Sequence, residues 1–435
     1  MIYPFSAFIL MQLQEALGYF IIGCLHDAFD NDNSSKKISF RKMLIQVFNA
    51  GSSSIKFALY QHQSKLELLK GNLEKIGEAS SILSFQTSSS PSQKIELSDG
   101  CQNHKEGIQK ILQIFDQEKN NPGSADLIVH RVVHGGTKYR HAALLDLEVK
   151  QFIRDMIPLA RTHHPASLAC IEEISEHFPE IPQAVVFDTS FHQTLPEYAW
   201  RYALPRKISD QYAIRRYGFH GISHQSVVKQ AASFLKTPVN KLNLITIHLG
   251  NGASISAIKK GICVDTTMGM TPLEGLVMGT RPGDLDPGIL TLLARKGWNQ
   301  EALETMLNQD SGMKGLCGTN DFREILQNKE EGNEEAEMAL ELYCYRVRKT
   351  IGSFSTVIGP VDALVFTGGV GENVSWVRKR SVRGMEWMNI QLDPDMNDHA
   401  EAPCAIHSKD SQTKILVLPS DEEWEMASQA AELIL

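Results

Sequence analysis

The chain predicts an α/β fold in which one unit is used twice, with a cleft between the copies. Three observations carry this. A short apolar strand, a polar glycine-containing turn and a returning strand occur early in each half, over residues 43–61 and again over 242–258. Apolar runs end repeatedly in glycine or charge: 126–133 leads into His134-Gly135-Gly136, 184–187 into Asp188, and 363–367 into Gly368-Gly369-Val370-Gly371-Glu372-Asn373. Between these runs lie stretches with apolar residues at helical spacing, such as 335–354. Strands alternating with helices, in a pattern repeated along the chain, call for layered α/β units.

Composition narrows the possibilities. At 435 residues the chain exceeds one ordinary core, so two or three domains are expected. Its hydrophobic and charged fractions, 42% and 22%, are those of a globular protein. A net charge of −8 denies it the basic surface that nucleic acid requires, but leaves room for a local anion site. The seven cysteines are scattered without CxxC spacing, which indicates neither a zinc site nor a disulfide framework and suits a reducing cytoplasm.

Residues 1–42 are set apart. Gln12, Gln14 and Glu15 interrupt their apolar runs and no Lys or Arg precedes them, so neither a secretory signal nor a membrane span is expected. A dispensable extension, with Met43 as the true first residue, is the expectation; a membrane-associating helix is the alternative. The serine-rich stretch 80–98 reads as an exposed loop.

Taken in order, the chemistry begins at Asn49-Ala50-Gly51-Ser52-Ser53-Ser54. Small residues let backbone N–H groups approach a phosphate, and Lys56 adds a positive charge just beyond. The alternative is an ordinary hairpin turn. Gly250-Asn251-Gly252 and the cluster 368–373 offer two more glycine loops at strand ends. Arg131, inside an apolar run, and Arg281, in Met278-Gly279-Thr280-Arg281, are placed to hold an anion, or else to pair with Asp126 or Asp284. Asp188 suits a metal-positioning or base role, or a helix cap. His220 and His224 have the spacing of a zinc-binding helix, but Gly218 and Gly221 disfavour a helix there and no third ligand is near. His220 reads instead as a hydrogen-bond donor to developing phosphoryl charge.

Together these residues resemble one family, the acetate kinases of the acetate and sugar kinase/heat-shock cognate/actin superfamily. The resemblance rests on Asn-Ala-Gly-Ser-Ser-Ser at 49–54, His-Arg-Val-Val-His-Gly-Gly at 130–136 and Phe-Asp-Thr-Ser-Phe-His at 187–192. It continues with Tyr-Gly-Phe-His-Gly-Ile-Ser-His at 217–224, His-Leu-Gly-Asn-Gly at 248–252 and Met-Gly-Thr-Arg at 278–281. Asp-Phe-Arg at 321–323, Gly-Gly-Val-Gly-Glu-Asn at 368–373 and Ser-Asp-Glu-Glu at 420–423 complete it, from Met43 to the carboxyl terminus.

The resemblance implies two duplicated actin-like (ribonuclease H-like) ATPase domains, residues 43–187 with 424–435 and residues 188–423, closing over acetate and ATP. It implies Asn49 and Glu422 at a Mg²⁺ (or Mn²⁺) site, Lys56 on nucleotide phosphate, Arg131 on the substrate carboxylate and Asp188 as the active-site acid. His220 and Arg281 would stabilise the transition state, and Val133, Phe219 and Pro272 would take the substrate's methyl group. His248, Leu249, Gly250, Asn251 and Gly252, then Asp321, Phe322 and Arg323, then Gly369, Val370, Gly371, Glu372 and Asn373 would form the ATP/ADP site. A homodimer through the second domain is implied too, with no nucleic-acid or membrane partner.

Chemistry favours the same set. Phosphoryl transfer is catalysed chiefly by positioning and cationic stabilisation, and a carboxylate with a pKa of about 4 needs no strong base. Asp188 is therefore better cast as an orienter. One segment departs from the family's Leu-Ala-Pro-Leu-His-Asn-Pro-Ala: Leu159-Ala160-Arg161-Thr162-His163-His164-Pro165-Ala166. Thr162 stands beside the expected methyl pocket, which leaves acetate against propionate open. Pro282 follows Arg281 where Ser is common. An actin-like or chaperone-like ATPase switch is the rival from another class.

Overall fold

The computed structural model describes residues 43–117, 125–161 and 163–435. The expectations for residues 1–42 and for Thr162 lie outside these. The described chain holds two mixed sheets. The first contains β1 (Leu44–Ala50), β2 (Ser54–Gln61), β3 (Leu66–Glu74), β4 (Ser81–Thr87), β5 (Ser90–Leu97), β6 (Leu127–Val132), β7 (Ala143–Leu144) and β8 (Gln183–Phe187), in the order 5-4-3-2-1-6-8-7. The second contains β9 (Leu244–Leu249), β10 (Ala253–Lys259), β11 (Ile262–Thr266), β12 (Ala363–Thr367), β13 (Cys404–Ala405) and β14 (Lys414–Val417), in the order 11-10-9-12-14-13.

The two orders are one plan. In the first sheet β1 pairs antiparallel with β2 and parallel with β6, which is parallel to β8. In the second β9 pairs antiparallel with β10 and parallel with β12, which is parallel to β14. Central parallel strands are covered on both faces, so they read as continuous apolar runs; β8 and β12 have almost no exposed residue. The parallel strands of each sheet end on one edge, the edge at which ligands settle in open α/β sheets.

Helices cover both faces of each sheet. Against the first sheet, Ile108 and Ile111 of helix His104–Gln117 and Cys170 and Ile174 of helix His164–His177 pack on Phe48, Ile55 and Phe57. On its other face, Met426, Ala427 and Ala430 of helix Glu422–Ala431 pack on Ile45, Val47 and Val129, so the end of the chain returns to its first sheet. Against the second sheet, Leu340, Tyr343, Val347 and Ile351 of helix Glu334–Ile358 cover one face, and Val227 and Ala231 of helix Gly221–Phe234 the other. Helix Glu334–Ile358 carries its own limits in the sequence. Asn333 accepts the Ala336 N–H, three glutamates fill the first turn, and Gly359 takes φ 84° at the end.

Three expectations are corrected. Residues 80–98 are not a loop but the hairpin β4–β5, because Leu83 and Phe85 alternate inward with buried Ser81 while β5 is largely exposed. Residues 368–373 form a short helix, Gly368–Asn373, rather than a loop. A helix does begin at Gly221, because the first turn needs no intrahelical donor from Gly221 and its N–H bonds the Asp188 carbonyl instead (2.9 Å). The six cysteines among the described residues are free thiols. Among those residues no helix is long and apolar enough to cross a membrane.

Candidate active site

The first sheet ends in side chains. At the end of β1, Asn49 donates through Nδ2 to Glu423 (3.2 Å) and Glu422 (3.5 Å), and its Oδ1 accepts from Arg131 Nη1 (3.2 Å). Arg131, on β6, also forms a charge-assisted bond and ion pair with Asp188, which follows β8 and is buried. Neither sequence-stated partner holds it: Asp126 accepts the Leu44 N–H and Asp284 the Gly275 N–H, both at 2.8 Å. Burial opposes the Arg131 charge, but Asp188 and Glu422 outweigh it and the guanidinium is held more basic than usual. Burial pushes the Glu422 carboxyl above its ordinary value, against the pull of Arg131 and Lys56. Lys56 pairs in register with Asn49 across the hairpin. Its side chain lines a groove of about 580 Å³ with Glu372, Ser420, Asp421 and Glu423.

The second sheet is approached by loops. His220 sits at φ 57°, ψ 25°, the left-handed region, just before helix Gly221–Phe234. Its Nε2 and an Arg281 guanidinium nitrogen meet over Gly252: a methyl on that glycine would lie 2.9 Å from the one and 2.8 Å from the other. Arg281 donates to the Pro272 carbonyl (2.6 Å), and among the described residues no carboxylate lies within ion-pair distance of it. Burial lowers its pKa to about 10, so it stays charged at neutral pH. A partly sunk guanidinium without a counter-ion is a site prepared for an anion. His220 is held well below its ordinary pKa by burial, with further contributions from His248, His224, Arg281 and Arg131. His248 is pulled down to about 4, chiefly by burial. Both imidazoles are neutral at pH 7.

Of the residues expected to take a methyl group, Val133 and Phe219 are buried in one cluster with Leu249 and Met268, and Pro272 offers its carbonyl to Arg281. One residue escaped the sequence reading. His163 is lowered to about 4 by burial first and then by Arg131 and Arg281, so both cations act on it. Its signal in the sequence is its place beside Thr162 in the segment 159–166. Its neighbour His164 is structural: Nδ1 lies 3.0 Å from the Ile153 carbonyl, and Nε2 accepts the His134 N–H (3.1 Å).

The expected nucleotide residues divide by direction. Gly279 N–H bonds the Asn251 carbonyl (2.9 Å), and the Asn251 side chain accepts from Asn320 (2.9 Å), bringing the 250–252 turn beside 321–323. Asp321 caps helix Phe322–Glu330 and pairs with Arg323 at 2.7 Å. The side chains of Leu249, Phe322 and Val370 point into the core, Phe322 edge-on to Tyr343. That leaves their backbone as the part of these three that can face a ligand. Glu372 accepts from Gly368 N–H (2.9 Å) and Ser420 N–H (3.2 Å), and Asn373 donates to the Gly369 carbonyl (2.9 Å). Gly371 is fixed by buried Arg378, which donates to its carbonyl (3.0 Å). Around Gly369 a side chain would meet open space.

Among the described residues no three His, Cys, Asp or Glu side chains are grouped to hold a metal ion. His220 and His224 converge on the Ser254 hydroxyl instead, which disposes of the zinc spacing. The remaining donor set, Glu422 with Asn49, is oxygen-based and small. That suits a hard cation that keeps most of its water and takes its other ligands from phosphate.

Comparison with known proteins gives the family and the fold. The acetokinase family profile matches residues 44–428. The acetate kinase of Sulfurovum sp. (strain NBC37-1) is 45% identical over 399 residues, covering 90% of this chain and 99% of that protein. The crystal structure of Porphyromonas gingivalis acetate kinase superposes with a TM-score of 0.83 at 38% identity, over 90% of this chain and all of the other. A propionate kinase from Francisella tularensis superposes with a TM-score of 0.82 at 38% identity, over 89% and 98%.

Proposed function

The chain belongs to the acetokinase family, and from that premise we propose that it moves the γ-phosphoryl group of ATP reversibly onto acetate, giving acetyl phosphate and ADP. The observation that carries this is the meeting of Arg281 and His220 over Gly252, with Arg131, paired to Asp188, close enough to act on the same imidazole.

Arg131 holds the acid's carboxylate, oriented by Asp188, while Val133, Phe219 and Pro272 take its methyl group. Arg281 and neutral His220 face the equatorial oxygens of the phosphoryl group, where charge develops. Lys56 and the 250–252 turn, with 321–323 and 369–373, receive the nucleotide. Glu422, oriented by Asn49, would hold Mg²⁺ (or Mn²⁺), which when bound neutralises phosphate charge and aligns its oxygens. The acid enters as its carboxylate, so no residue has to remove a proton.

Propionate is the second reading, favoured by the likeness to the Francisella propionate kinase. Mg²⁺-ATP with acetate, propionate and butyrate, trapping acyl phosphate with hydroxylamine, tests both. The highest kcat/KM with propionate would replace acetate, and ATP turnover independent of any acid would overturn the kinase reading. A cytoplasmic homodimer is part of the proposal. Helix Pro287–Arg295 has no buried residue and exposes Ile289 and Leu292, which suits a self-complementary face. Ile289→Glu with Leu292→Glu should halve the mass in sedimentation; an unchanged mass would remove this face from assembly.

A further inference from the structure

Behind the site lies a chain of buried hydroxyls and imidazoles that the proposed reaction does not itself use. His220 Nδ1 is 2.9 Å from Ser254 Oγ, and Ser254 Oγ is 2.8 Å from His224 Nε2. His224 Nδ1 is 2.8 Å from Thr246 Oγ1. Thr246, Ser254 and His224 are fully buried, so each of their protons needs an acceptor within the protein. Register explains the proximity: His248 on β9 pairs with Ser254 on β10, Thr246 lies two residues back on the same face of β9, and helix Gly221–Phe234 lays His224 across them.

Two directions of donation are conceivable, and the proton count decides between them. If His224 donated to Thr246, the Thr246 hydroxyl proton would be buried with no acceptor, since among the described residues His224 is the only partner of that hydroxyl. If Thr246 donates to His224 Nδ1, then His224 Nε2–H donates to Ser254 and Ser254 donates to His220 Nδ1, and every proton is used. His220 is then left with its proton on Nε2, the nitrogen that faces Arg281 over Gly252. The same count applies to Ser223, also fully buried, whose hydroxyl has His248 Nδ1 (2.8 Å) as its partner and so leaves His248 with an Nε2 proton.

We propose that Thr246, His224 and Ser254 are positioning residues, a one-way hydrogen-bond relay that fixes neutral His220 as an Nε2–H donor aimed at the transferred phosphoryl group. The aim of the relay rests on the phosphotransfer reading; its direction does not. A neutral imidazole with the opposite tautomer would turn a lone pair toward phosphate oxygens, and the relay excludes that state before substrates arrive.

The test reads the resting protein and the reaction separately. In protein labelled with ¹⁵N-histidine, with the His220 signals assigned by their loss in His220→Gln, His220 should show a bare, hydrogen-bonded Nδ1 and a protonated Nε2. Ser254→Ala should shift that spectrum toward a tautomer mixture and lower kcat roughly 10-fold, the size of one directed hydrogen bond, with both KM values within about twofold. Thr246→Val, isosteric and safe for folding, should lower kcat about threefold, while Thr246→Ser should behave as the parent. A protonated Nδ1 in the parent, or Thr246→Val with unaltered spectrum and kcat, would overturn the relay. If the parent formed no acyl phosphate, the functional reading would fail while the spectra still decided the relay's direction.

Discussion

The two sheets share a strand order and a hairpin, yet their parallel strands end in different chemistry. Asn49, Arg131 and Asp188 stand at the ends of β1, β6 and β8 and are bonded into one charged group with Glu422 and Glu423. The corresponding ends of the second sheet are His248, Thr367, which pairs with His248, and Val417, followed by Leu418, Pro419 and Ser420. There the side chains are neutral, and glycines 250, 252, 368 and 369 bring backbone close. A scaffold used twice thus supplies anion chemistry from one copy and close backbone approach from the other. The groups that face both, His220 and Arg281, come from connecting segments.

The sharpest way to break this division is Arg281→Ala, which removes the cation that has no carboxylate partner among the described residues. We expect kcat to fall roughly 10³-fold with the fold intact, and near-normal turnover would remove Arg281 from the mechanism. Gly252→Ala asks whether the second sheet's contribution is space: the added methyl would press on Arg281 and His220, and kcat should fall by about 10²-fold. Equal activity would show that the loop can yield. Glu422→Gln tests the first sheet's part in metal handling, and the Mg²⁺ concentration for half-maximal rate should rise roughly 10-fold; an unmoved requirement would place the ion elsewhere.

The smallest effect tests a property that the sheets share. His130 on β6 and His248 on β9 are both pulled to about 4, in each case chiefly by burial. The unfolded histidines bind protons below about 6.5. Between the two values the unfolded chain takes up protons that the folded chain refuses, so stability falls as pH drops from 7 toward 4 and is unaffected by these groups above 7. The melting temperature should decline over that interval. His130→Gln and His248→Gln should each flatten the decline by a similar amount, and a change in only one would show that the strand ends differ in burial energetics.

Much of this was legible in the chain. The hairpins β1–β2 and β9–β10 were visible because apolar runs flank a polar, glycine-bearing turn, and the long helix because its caps and spacing agree. The hairpin β4–β5 was hidden, since serine content masked an alternation that only Leu83 and Phe85 declare. Site residues could be named from local motifs, but their partners could not. Asn49 meets Glu422 and Glu423 only because the last helix recrosses the first sheet, and Arg131 chose Asp188 over nearer carboxylates. The inward turn of Leu249, Phe322 and Val370 depends on sheet and helix faces that a motif does not specify.

The backbone at His220 has a bearing on how this protein would behave under laboratory evolution. A β-carbon at φ 57° is disfavoured by roughly 1–2 kcal/mol, a strain that glycine would relieve. Under selection for heat resistance His220→Gly would gain that strain energy but strip the buried Ser254 hydroxyl of its acceptor and open a cavity. The gain and the costs oppose each other at one position, which guards the phosphoryl donor against drift toward glycine.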